Sequence, residues 1–139
     1  MPVNAHRATW SAIPAVLLAL ALPWTAGALA ADATVTPLVG SDLGGIAGKE
    51  GLMALVEYPP GGSTIQHRHD ADVFVYVLEG SVVMQVKGAA PVTLGPGQTF
   101  HEAPGDVHAV SRNASDTAPA KFLVFFVKNK GDPVLVPAP

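Results

Sequence analysis

His67 and His69 stand one residue apart at the start of a β-type run, and His108 follows within Pro104-Gly105-Asp106-Val107-His108. In an extended strand alternate side chains share a face, so both imidazoles of this pair point one way while Arg68 points the other. A third imidazole from a distant segment would complete a set of nitrogen donors for one metal, and imidazole suits zinc, copper, iron and nickel. A His-Xaa-His pair alone is often accidental. The Gly-rich lead-in at Gly61-Gly62 and the later Pro-Gly-Asp-Val-His segment set this one apart. Three protein donors leave positions open for water, dioxygen or a chelating substrate, as catalysis at a metal requires and a closed structural site forbids.

Little else in the chain competes with that chemistry. There is no cysteine, so thiolate catalysis is excluded and the fold has only its core, and any bound metal, to hold it. No Ser-His-Asp arrangement or carboxylate pair stands out, which leaves Glu102 as the one visible acid or base near the histidines. Formal net charge is −3, and the basic residues form no stripe of the kind nucleic acid requires.

Residues 1–30 read as a secretory leader: Arg7 precedes an apolar stretch over residues 15–22, and Ala28-Leu29-Ala30 supplies small residues for cleavage. The uncharged run over residues 8–31 could also span a bilayer, but Pro23 interrupts it and the flanks suit cleavage. Removing the leader takes away Arg7 and no acid, so of eight basic residues seven remain against eleven acidic ones. The expectation is an exported protein, periplasmic or secreted, with no stable membrane insertion once the leader is gone. A single arginine before the apolar stretch does not support the twin-arginine route, so metal would be acquired after export.

The remainder, long enough for one domain, patterns as short strands separated by turn residues, with no sustained apolar stripe at helical spacing. Strands are predicted over residues 51–58, 73–78, 81–86, 91–94, 98–102, 107–110 and 121–128, with 81–86 returning from the Glu79-Gly80 turn as a hairpin partner. Residues 31–48 form an N-terminal extension with a first strand, 49–130 a barrel and 131–139 a Pro-rich, extended tail. Met53, Met84, Phe74 and Tyr76 are expected in the core. The nearly all-apolar 121–128 strand suits burial on both faces, or one face beneath a second copy in a homodimer. Such all-β patterning suggests a small barrel or jelly roll with room for a small ligand.

Gly61, the His67-Arg68-His69 trio and Gly80 resemble the first motif of the cupin family, and Gly97, Gly105, His108 and Asn113 resemble its second. The resemblance implies a single-domain β-barrel holding one divalent transition metal through His67, His69 and His108, with a small molecule as ligand or substrate. It departs from the family at two places. The glutamate that usually follows the second histidine is replaced by Val73 and Phe74, which cannot bind metal. Asp72 is next to them but alternation turns it to the opposite face. In the second motif Asn113 falls one residue late, as a slip or bulge would produce. Glu102 shares a face with inward-pointing Phe100 and is the candidate replacement, as a fourth ligand or as an acid/base, while His101 faces outward.

Cupins with three neutral imidazoles and no glutamate are similar to iron dioxygenases, so the resemblance favours Fe(II) and an exported, dioxygenase-like oxidoreductase acting on an anionic chelating substrate. Zinc, manganese, copper or nickel could occupy the same donors, and zinc would suit an isomerase or lyase. A binding cupin that breaks no bond is the reading from a different class, and a structural cupin that lost its activity a third.

Overall fold

The β-branched runs and Gly/Pro turns fold as strands throughout, and no helix occurs among the residues that the computed structural model describes, 32–139. The expected leader over residues 1–30 lies outside them. The strands are β1 (Thr34–Asp42), β2 (Lys49–Tyr58), β3 (Ser63–Thr64), β4 (His67–Arg68), β5 (Ala71–Glu79), β6 (Val82–Val86), β7 (Val92–Leu94), β8 (Thr99–Glu102), β9 (Val107–Asn113), β10 (Ala120–Asn129) and β11 (Val136–Pro137). They form two antiparallel sheets, ordered β1-β2-β10-β5-β8 and β11-β4-β9-β6-β7, with β3 added beside β9. This is the expected all-β jelly roll. Its core lies between the sheets, where Val73, Val75 and Val77 meet Val82 and Met84, with Val56, Phe122, Val124 and Phe126 closing the layer.

Alternation sorts β5 cleanly: its valines are buried, whereas Phe74 and Tyr76 are 49% and 47% exposed. The expectation that these aromatics are core therefore fails, because a strand packed on one face can bury only every second side chain. Met53 is likewise on the outer face beside Phe74 and Phe125, while Met84 is fully buried as predicted. The 121–128 segment alternates too, with Phe122, Val124 and Phe126 inward and Leu123, Phe125 and Val127 half-buried outside.

The predicted 73–86 hairpin is also corrected. β5 pairs with β10 and β8, whereas β6 pairs with β9 and β7, so Glu79-Gly80 carries the chain from one sheet to the other. Composition around a turn indicates that the chain reverses, but it does not say whether the next strand pairs or crosses over. Gly80 has φ +68°, and a Cβ there would lie 2.4 Å from the Pro119 carbonyl oxygen. Beside this crossing, buried Asn113 donates through Nδ2 to the carbonyls of Ala118 (2.8 Å) and Pro59 (3.0 Å) and accepts from the Ser115 amide (2.9 Å). The Asn113-Ala114-Ser115 triplet thus ends β9 in a bend closed by its own side chain.

Replacing Gly80 with alanine should lower the unfolding free energy by about 2 kcal/mol or more. Gly88→Ala, also at positive φ but with open space around it, should cost only about 1 kcal/mol. Urea denaturation of the two variants checks the difference.

Candidate metal centre

Two short strands and one bulge bring the histidines together. β4 pairs antiparallel with β9 so that His67 lies directly across from His108. His69 follows β4 on the same face, where its carbonyl accepts from the Gly105 amide (2.8 Å). All three side chains are buried, and one nitrogen from each lies within 4.8 Å of the others. On β9 the register slips between the partners of Gln85 and Val86, which face Val110 and His108. That extra residue is the bulge anticipated from the late asparagine, and it lets His108, Ser111 and Asn113 all turn inward although His108 and Asn113 are an odd number of residues apart.

Backbone carbonyls orient two of the rings. His67 Nδ1 lies 2.6 Å from the Ile65 carbonyl oxygen and His69 Nδ1 hydrogen-bonds that of Val134. A carbonyl only accepts, so both Nδ1 atoms donate and both Nε2 atoms are left to carry lone pairs in the neutral rings. Burial holds the pKa of His67 below the ordinary histidine value, with His69 and His108 adding to the effect against the opposing Ile65 bond. The two Nε2 atoms nevertheless stand 3.0 Å apart. An imidazolium at His69 would satisfy that pair but would leave both nitrogens of His108 and Oε2 of Glu102 without partners. A cation shared by the three imidazoles satisfies the cluster at once. Two nitrogens about 2.1 Å from one ion stand about 3.0 Å apart at a right angle and about 3.4 Å apart at the tetrahedral angle. The residues therefore fit a divalent metal.

Glu102 is 2% exposed, with Oε1 3.1 Å from His108 Nδ1 and Oε2 4.0 Å from His69 Nε2. Neither approach is aligned as a hydrogen bond. Phe100 shares its inward face and stacks at 6.0 Å from the His108 ring. Asp72 points outward, 3.4 Å from exposed His101, and takes no part in the site. Arg68 pairs with Asp70 on the surface, as expected for a residue facing away from the histidines.

A cavity of about 280 Å³ opens beside the histidines, lined mainly by valines, Phe122, Phe126 and Met84. That volume is near the lower end for small-ligand sites. Two of its features escaped the sequence reading. Tyr58, from one sheet, bonds Thr64 and Ser111 of the other at 2.6 Å each. Burial raises the pKa of Tyr58, so its phenol stays protonated. Only its alternation with Ala54 and Val56 marked it as inward-facing, and nothing in the chain links it to Ser111. The tail is the second: β11 pairs with β4, and Val134 and Leu135 form part of the cavity wall. Buried Lys128 starts that path by pairing with Glu50 and donating to the Asp132 carbonyl (2.6 Å).

The family model described as Cupin domain matches residues 54–126, just over half of the chain. The chain is a cupin. No curated protein matches it. Among solved structures, this cupin is similar to a cupin-2 domain protein from Rhodospirillum rubrum (21% identity, TM-score 0.61, covering 77% of this chain and 66% of that one). A cupin domain from Bordetella pertussis Tohama I gives 23% identity and TM-score 0.58, covering 73% of this chain and 99% of the other. The DMSP lyase DddQ of Ruegeria pomeroyi gives 24% and 0.56, covering 63% of this chain and 43% of that one. The cupin thus spans less than half the length of this lyase, and these likenesses establish its fold.

Deleting residues 133–139 removes the carbonyl that holds His69 and one cavity wall, so divalent-metal affinity should fall about 10- to 100-fold. Calorimetric titration with cobalt(II) on the purified, folded truncation checks this; wild-type affinity would show that the tail does not support the site.

Proposed function

We propose that this cupin is an exported protein that holds one divalent transition metal at His67, His69 and His108 and acts as a dioxygenase-like oxidoreductase on a small chelating substrate. The observation that carries the metal reading is the convergence of three buried imidazoles beside the cavity, with both nitrogens of His108 lacking a hydrogen-bond partner. Iron(II) is the favoured ion, on the resemblance to three-histidine cupins that lack the glutamate, and imidazole donors suit it as they suit zinc, copper and nickel. When bound, such a metal supplies Lewis acidity and, if redox-active, the means to activate dioxygen.

The chain's own residues supply the surroundings. The valines, Phe122, Phe126 and Met84 exclude water from a ligand, and the backbone carbonyls of Ile65 and Val134 keep two imidazoles in register. The hydroxyls of Tyr58, Thr64 and Ser111 offer hydrogen bonds to a polar group at a separate part of the cavity wall. No lysine or arginine lines the cavity, so an anionic substrate would depend on the metal for its countercharge. The likeness to DMSP lyases favours, as a second reading, elimination without an oxidant.

Protein recovered from its exported location should contain about one iron per chain by elemental analysis. With a panel of small acids, diols and thiols it should consume dioxygen, and alanine at His67 and His108 should abolish both metal and uptake. Product formed without dioxygen would favour the lyase reading, and ligand binding with no turnover a binding cupin.

The same proposal includes a homodimer. The outer face of the β2-β10-β5 layer presents Met53, Leu123 and Phe125 beside exposed Phe74 and Tyr76, an apolar surface that a second copy would cover. Sedimentation should give the mass of two chains, and Phe74→Glu with Phe125→Glu should give one; a monomeric wild type would remove this part of the reading.

A further inference from the structure

Glu102 occupies a place that its own strand does not explain. In antiparallel register it lies directly across from Val73, on the same inward face. Val73 is one of the two residues standing where the family's usual glutamate would follow the second histidine. Directly opposed side chains in such a pair have Cβ atoms about 5 Å apart, a distance that a glutamate side chain can bridge. A carboxylate sent inward from β8 therefore reaches the region that a glutamate on β5 would occupy.

Its surroundings leave it without a countercharge from the protein. The side chain is 2% exposed, Oε2 has no hydrogen-bond partner, and no lysine or arginine lines the cavity to neutralise it. One carboxylate oxygen lies beside His108 and the other beside His69, at 3.1 and 4.0 Å, and neither contact is aligned for donation. Glu102 stands beside, not within, the trio of imidazoles whose nitrogens all lie within 4.8 Å of one another, on the side bounded by His69 and His108. Burying a carboxylate with one oxygen unpartnered is unfavourable, and a cation beside it would offset that cost.

We infer that Glu102 is the fourth metal ligand, the family's carboxylate transposed across one strand pair from β5 to β8. This rests on the metal reading proposed above and makes it specific: the donor set is three imidazoles and one carboxylate, so the bound ion carries one unit less positive charge than three imidazoles alone would leave it. The adjoining Pro104-Gly105 turn and the bulge in β9 then set the position of His108 against a carboxylate on the neighbouring sheet.

The test uses cobalt(II) alone as the probe, with affinity from calorimetry and donor set from the visible absorption of the bound ion. Glu102→Gln and Glu102→Val should each weaken cobalt binding at least about tenfold and change the absorption bands. Restoring a carboxylate on the partner strand, in the double variant Glu102→Val with Val73→Glu, should recover most of the affinity and the wild-type bands. If the double variant does not fold, the folded Glu102→Gln protein decides the matter. Unchanged affinity and bands in Glu102→Gln would overturn the assignment while leaving the histidine site intact. Failure of the wild-type chain to bind cobalt would instead overturn the metal reading itself.

Discussion

The centre of this protein is organised by lone pairs that cannot satisfy one another. Hydrogen bonds from His67 and His69 to backbone carbonyls direct their Nδ1 protons away from the cavity, and their Nε2 atoms are left face to face. His108 and Glu102 add further buried atoms with no partner. A globular core ordinarily pairs its polar groups or excludes them. Here three imidazoles meet at one place, with an unpartnered Glu102 oxygen beside them, in an arrangement that could hold a cation. The rest of the structure can be understood by how it holds those groups at that point.

Three devices do so. The β4–β9 pairing sets His67 against His108, the bulge in β9 turns His108 inward together with Ser111, and the β5–β8 pairing brings Glu102 in from the other sheet. A fourth comes from the end of the described chain, where the Lys128–Glu50 pair and the β11–β4 ladder guide the tail along the cavity wall and set the Val134 carbonyl on the Nδ1 atom of His69. Stability and site geometry are consequently linked: the strands that close the hydrophobic layer also carry the donors, and an alteration in register would displace a ligand as well as a core side chain.

Much of this was legible beforehand, for identifiable reasons. His-Xaa-His on an extended segment predicts two imidazoles on one face because the strand period is two. The late Asn113 predicts a bulge because an odd separation must be corrected if both residues face inward. The inward placement of Glu102 and Phe100 and the outward placement of His101 follow from the same alternation. The errors also have a common cause. Phe74, Tyr76 and Met53 were assigned to the core by residue type, yet the face that a side chain occupies is set by its position in the pleat. The supposed hairpin at Gly80 failed because turn chemistry specifies a reversal and leaves the pairing partner to long-range packing.

From its residues alone the chain determined its strand character, its turns, its lack of cysteine chemistry and the pair of imidazoles at 67 and 69, since each depends on local backbone geometry or on composition. Only the tertiary structure decided that His108 meets that pair, that Glu102 lies opposite Val73, that Tyr58 bonds Ser111 and that Val134 supports His69. These are relations between strands far apart in the chain, and their distances arise from sheet register and from the packing of one sheet on the other, neither of which is written in any local pattern.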